Sequence, residues 1–319
     1  MWSTVVRRLA LALPLVIGVV AVNFTFLSLA PGDPVVLLFG EGGSPDEATL
    51  RDLRQRLALD RPAPVRFAAY LSELARGRLG QSISQGRPVV DAIAERLPAT
   101  LLLAVAALVV ATLGGLALGV ALARLTHAAP RGERIAFLLL LLGGNLPPLV
   151  AGLALIIVFA LGLGLAPSQG MTSARGGGQL DVLSHLALPA LTLALQPMFG
   201  VARVTRARML EVWERDHVRT ARASGVGEWR IWWRHVLPNA LSAPVTVLAL
   251  SAAHWAGGAV LTESVSAWPG IGRLAVDATL ARDHPVVLGV ILTATLLVVG
   301  ANLAADLLLR LLDPRVRHG

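Results

Sequence analysis

The sequence predicts an all-α protein that crosses a membrane with about six helices. Three observations carry this. Of 319 residues, 55% are hydrophobic and only 15% charged, against roughly 25% charged in soluble domains. Apolar runs long enough to span hydrocarbon recur along the chain, and arginines gather in alternate connecting segments. A soluble fold of this size could not hide so much apolar surface in one core.

The expected spans follow in order. The first covers 9–30, behind Arg7 and Arg8. Its apolar run exceeds a signal-peptide core, and Pro31 follows the small-residue site Ser28-Leu29-Ala30, so it is expected to be retained. A polar stretch, 31–98, balances nine arginines against nine acids, and Leu50, Leu53, Leu57 and Leu59 suit a short amphipathic helix. The second span covers 100–123. The third apolar stretch, 135–165, is too long for one straight crossing and is interrupted at Gly143-Gly144-Asn145-Leu146-Pro147-Pro148. Proline breaks the backbone ladder and lipid cannot repair it, so a kink or two half-helices should face protein or a cavity there. Asn145, Pro147 and Pro148 are therefore candidates for a kink or for the wall of a path. A Gly/Ser loop covers 166–178, with Arg175. The remaining spans cover 182–202, 237–261 and 285–309, with an outside loop at 262–284.

Charge orients the chain. Sixteen arginines fall in the segments assigned to the inside, and only Arg175, Arg273 and Arg282 in the two short outside loops. Both termini then face the cytoplasm. The same distribution explains the pI of about 11.4 without nucleic acid as a partner. The chain has no cysteine, which excludes disulfides and thiolate chemistry. All 28 basic residues are arginine, so no phosphate-binding loop lysine exists. No His/Asp/Glu cluster has metal-ligand spacing, no Ser/His/Asp set has persuasive context, and no internal repeat is visible. Asn145, Asn302 and His254 read as interhelical hydrogen-bonding residues, Asp306 as a partner of Arg310, and His185 as structural.

The cytoplasmic segment 203–236 holds eight arginines and four acids. Good helix formers run to Ser224, Gly225 suits the position just past a helix end, and Gly227 adds a second flexible point. Trp229, Ile231, Trp232 and Trp233 then form an amphipathic stretch suited to the membrane interface, with Pro238 entering the bilayer. Such a helix–turn–helix serves either as a docking knob or as a solvated basic loop. Ala221 and Ala223 are small enough to admit a partner groove.

This segment resembles the coupling loop of ABC-importer permeases, whose pattern is Glu-Ala-Ala, three residues, Gly, nine residues, Ile, one residue, Leu-Pro. Here it falls on Arg219-Thr220-Ala221, Gly225, His235 and Leu237-Pro238, and the start Arg219-Thr220-Ala221-Arg222-Ala223 has the peptide/nickel form. Further pieces resemble the B-type permease of dipeptide, oligopeptide and nickel importers: Leu29-Ala30-Pro31-Gly32-Asp33-Pro34, Leu59-Asp60-Arg61-Pro62, Leu79-Gly80-Gln81-Ser82, Arg96-Leu97-Pro98-Ala99-Thr100, Leu188-Pro189-Ala190-Leu191-Thr192, Glu263-Ser264-Val265, Pro269-Gly270-Ile271-Gly272, Arg282-Asp283-His284-Pro285, Asn302-Leu303 with Asp306, and Asp313-Pro314-Arg315. Ala58 stands where the family has Gly, Arg78 where it has Asp, and Gly144-Asn145-Leu146-Pro147-Pro148 where it has Ser-Ile-Pro-Ser-Phe.

The resemblance implies a type I (MetI-like) permease fold. It would comprise a first helix at 1–30, a periplasmic loop domain at 31–98, a five-helix core at 99–310 with its coupling loop at 203–236, and a tail at 311–319. It implies a transport subunit of the bacterial inner membrane rather than an enzyme. Its partners would be a second homologous permease, two cytoplasmic ATPases and an extracytoplasmic solute-binding protein. No cofactor belongs to this chain, and ATP and Mg would sit on the ATPases. Gly225→Val is expected to abolish uptake while leaving the protein in the membrane. Peptide is the leading substrate, nickel or another small solute the nearest rival. An ion-coupled secondary transporter is the rival from another class, though the centres of the spans hold almost no ionisable groups.

Overall fold

The computed structural model describes residues 2–29, 46, 47, 51, 60–173, 176–241, 243, 244, 247, 248 and 255–312. Leu50, Leu53, Leu57 and Leu59 of the expected amphipathic stretch, Arg175, His254, Asp313-Pro314-Arg315 and the side chain of Arg310 lie outside what is described. Among the described residues the chain is helical, and its extended pairing is the isolated bridge Gln81–Pro88. The chain divides into two compact units, Met1–Ala99 with Pro269–Val299, and Thr100–Trp268 with Gly300–Gly319.

In the first unit, α1 (Trp2–Leu29) carries the apolar stretch Ala10–Phe26. α2 (Ala63–Ala75) starts behind Pro62 and meets α1 through Phe67 and Tyr70, whose rings lie 5.3 and 6.3 Å from that of Phe24. Burial pushes the Tyr70 phenol up to about 12. α3 (Val89–Ala128) begins eleven residues before the expected span and runs through Pro98, the expected boundary. Its first turns bury Val89, Ala92 and Ile93 against α10 (Ile271–Leu280) and the start of α11 (His284–Leu312). That packing offsets the ladder bond Pro98 removes.

The loop expected at 262–284 therefore contains a helix. Gly270 precedes α10 in extended conformation, and Ile271, Leu274 and Ala278 fill one face at helical spacing. Gly289 of α11 lets Val89 approach, since a Cβ there would stand 2.6 Å from the valine Cγ1.

In the second unit, α3 buries Leu103, Ala107 and Ala111 and then presents Gly115 and Gly119 to α6 (Gln179–Trp213). A Cβ at Gly115 would lie 2.7 Å from the Met198 carbonyl oxygen. One at Gly119 would lie 2.8 Å from that of Ala202. This small-xxx-small spacing brings two backbones together, the way helices associate where lipid offers no hydrophobic drive. The opposite face, with Leu101, Val105, Leu108 and Leu113, is exposed apolar surface suited to lipid.

α4 (Pro130–Gly144) and α5 (Pro148–Leu155, continued by π turns over Ile156–Gly162) are bent by 98° at their junction. The two-half-helix alternative is the one observed. α9 (Trp255–Val265) packs on α5 and α6. α6 continues eleven residues beyond its expected end, because 203–213 contains neither Gly nor Pro and is mostly strong helix formers such as Arg, Ala, Met, Leu and Glu. α3, α6 and α11 are each long and apolar enough to cross a membrane, and the α4–α5 pair makes a fourth such element among the described residues. The expected fifth span is described at Leu237–Ala240 and from Trp255 onward, with residues 249–254 outside the description.

Candidate functional site

The segment after α6 forms a closed module. α7 (Asp216–Ala223) starts after Arg215 in extended conformation and ends at Ser224. Gly225 takes φ +78°, its N–H donates to the Arg222 carbonyl at 3.0 Å, and the Val226 N–H donates to the Ala221 carbonyl at 3.2 Å. This is a Schellman termination, with glycine at the left-handed position that other residues tolerate poorly. Gly227, expected as a second flexible point, has φ −62° and precedes α8, which runs as Glu228–Arg230, Ile231–Val236 in π turns, and Leu237–Ala240.

The module sits on its own apolar floor. Val218, Ile231, Trp232 and Val236 pack with Val120, Met209, Val212 and Trp213 from the ends of α3 and α6. Trp213 and Trp232 stack at 4.1 Å, His127 lies 4.5 Å from Trp213, and Arg222 stands 4.8 Å over the same ring. Trp232 is thus a core residue rather than the interfacial one expected, while Trp229 and Trp233 remain exposed. Ala221 also faces inward, so its small size serves the module's own packing and leaves Ala223 as the small exposed residue. Arg219, Thr220, Arg222 and Pro238 are exposed and Leu237 is half-buried. Arg219 stands 3.6 Å from Asp216. Truncation of Trp232 to alanine should destabilise the module by about 3–5 kcal/mol, as for other buried tryptophans. Protease sensitivity of 216–240 in membrane vesicles would rise accordingly.

The break between α4 and α5 opens a second feature. Asn145 turns its amide back onto the Leu141 carbonyl at 2.7 Å, so it caps α4 instead of bridging to another helix as expected. Pro147 holds the extended geometry that ends α4, and Pro148 opens α5. Phe199 of α6 lies against Gly143. Beside the break lies a cavity of about 370 Å³, lined by Asn145 and Pro148 together with Thr192, Gln196, Phe199 and Arg203 of α6. Pro147 does not line it. Of the α6 residues only Thr192 was named from sequence, as the end of the piece Leu188–Thr192, although the spacing of four, three and four marks one helix face.

Residues 115–318 match the family model described as the binding-protein-dependent transport system inner membrane component, and residues 1–104 match the N-terminal domain of the same component. The chain belongs to this family. It is 37% identical to a di/tripeptide transport system permease protein of Pseudomonas aeruginosa, across 100% of this chain and 99% of that protein. It is 34% identical to the dipeptide transport system permease protein of Escherichia coli, with the same coverage. An all-α permease fold and a membrane transport role follow from that membership.

Within this permease, motif pieces far apart in sequence meet. Asp283 is fully buried and accepts bonds from Ser82 Oγ at 2.5 Å, Ser84 Oγ at 2.7 Å and the Ser84 N–H at 3.0 Å. It also faces the Val286 N–H at the start of α11. In the second unit, Thr100 donates to the buried Glu263 at 2.7 Å. Burial alone would raise the Asp283 carboxyl, but the Ser82 and Ser84 donors outweigh it and hold it below the ordinary carboxylate value. A depressed carboxylate contributes stability that is present above its unfolded value and lost as pH falls through its folded one. Thermal unfolding of the detergent-solubilised protein should therefore move to lower temperature below about pH 4, and Asp283→Ala should flatten that dependence. Among the described residues no three His, Asp or Glu side chains converge as a metal site requires.

Proposed function

We propose that the chain is the transmembrane permease of an ATP-driven importer of di- or oligopeptides. It forms half of the translocation path and docks a separate ATPase through the α7–α8 module, the part of the expected loop 203–236 that lies beyond the end of α6. The observation that carries the coupling role is the packed α7–α8 module, with Arg219, Thr220, Arg222 and Ala223 on its outer surface and the ends of α3 and α6 beneath. A force on this knob reaches two long apolar helices directly. The full-length similarity to permeases named for dipeptides and tripeptides supports the substrate class.

Both termini face the cytoplasm in this reading. A second, similar permease completes the path, two ATPases hold ATP and Mg, and an extracytoplasmic binding protein delivers the peptide. This chain holds no cofactor and hydrolyses nothing. Purification in mild detergent after co-expression with the products of adjacent genes tests the assembly. Recovery of a second permease and two ATPase copies supports it, whereas recovery of this chain alone in a form that transports solute contradicts it.

A further inference from the structure

We propose that the cavity at the α4–α5 break is a carboxylate-binding station on the permeation route, with Arg203 as its cation. The proposal rests on the peptide reading above, because every unmodified peptide carries a C-terminal carboxylate.

Three observations lead to it. The first is size and shape. The cavity of about 370 Å³ matches the lower range of small-molecule sites, roughly 300–1,000 Å³. Thr192 and Arg203 are eleven residues apart on α6, or about 16 Å along its axis. An extended peptide rises about 3.4 Å per residue, so two to four residues fit that length.

The second is the state of Arg203. Its neighbours on the same helix and beyond are engaged: Arg206 with Thr126 at 3.0 Å, Arg208 and Arg215 with Glu211 at 2.8 Å, and Arg219 near Asp216. Arg203 lines the cavity from the cytoplasmic end of α6, where its exposed guanidinium makes no hydrogen bond or ion pair with any described residue and is open to an incoming carboxylate. A guanidinium presents a planar fork that matches a carboxylate with two parallel bonds.

The third is the rest of the wall. Thr192 and Gln196 lie on the Arg203 face of α6, Asn145 stands opposite, and Phe199 supplies an apolar surface. That mixture suits a peptide backbone without selecting one side chain. α5 also begins at this cavity, so the positive end of its dipole adds to the field of Arg203. In a broken span the half-helix end would otherwise be an unsatisfied group in hydrocarbon.

The absence of cysteine makes a direct test possible. Leu195 lines the cavity without being assigned a polar role. In the purified full importer, Leu195→Cys would be labelled with a small maleimide and read on this chain's band. Dialanine at millimolar concentration should slow labelling at least fivefold, and dialanine amide should not. Arg203→Gln in the same background should remove the protection, and Arg203→Lys should retain most of it. Equal protection by the acid and the amide, protection that survives Arg203→Gln, or a cysteine that never labels would each overturn the station. Uptake of labelled dialanine by the importer that retains Leu195 and Arg203 separates the two readings. With uptake intact, any of those results sinks the station and leaves the importer standing. If the complete importer takes up no peptide, the substrate reading falls and the station falls with it.

Discussion

Gly225→Val lowers ATP-driven uptake at least about tenfold while the protein remains in the membrane. The reason is confined to the backbone. Gly225 holds φ +78°, and nothing lies within 4 Å of where its Cβ would stand. No neighbour is displaced, so the effect is the strain of a β-branched residue in the left-handed region, about 1–2 kcal/mol or more. Relieving that strain means opening the bonds from Gly225 and Val226 to Arg222 and Ala221 that close the module. A shift of about 1.4 kcal/mol is already a tenfold change in the ratio of closed to open module. Gly225→Asn should keep most activity, because asparagine tolerates this conformation best after glycine. Gly227→Val should be mild, since Gly227 occupies an ordinary φ of −62°. The three variants, measured for uptake and for membrane content by immunoblot, separate turn geometry from bulk at the surface.

Gly115→Leu removes the protein rather than its coupling. A Cβ there would meet the Met198 carbonyl and Val201 at 2.7 Å, and the carbonyl belongs to a helix backbone that cannot yield locally. The two helices must separate, and overpacking of this kind destabilises by about 1–3 kcal/mol or more. Membrane content should fall several-fold at 37 °C, with a matching loss of thermal stability in detergent. Gly18→Leu is the control, because nothing lies within 4 Å of its Cβ position. Equal accumulation of the two variants would mean that α3 and α6 do not pack on this face.

What sequence could reveal follows from the range of each interaction. Gly225 and the double proline at Pro147-Pro148 act within a few residues, so the turn and the break were legible from residue type alone. The burial of Trp232 and Ala221 was not. Beside a membrane span, an apolar residue facing lipid and one facing protein look alike in sequence, and only packing against Trp213 and Met209 distinguishes them. α10 escaped notice because it is short, and its polar Arg273 and Asp277 read as loop residues. Asp283 and Ser82 are 201 residues apart, so each motif was visible but their bond was not. The cavity face of α6 was legible in principle from the spacing of Thr192, Gln196, Phe199 and Arg203. In a helix that crosses a membrane, however, one polar stripe says nothing of what lies opposite.

The most direct test of the transport account is uptake of labelled dialanine into proteoliposomes that hold this permease with its second permease, its ATPases and the binding protein. The account predicts uptake that requires every component, stops when ATP is withheld, and continues when an ionophore collapses the proton and sodium gradients. Uptake by this chain alone that ends with the ion gradient would contradict it and identify a self-sufficient secondary transporter.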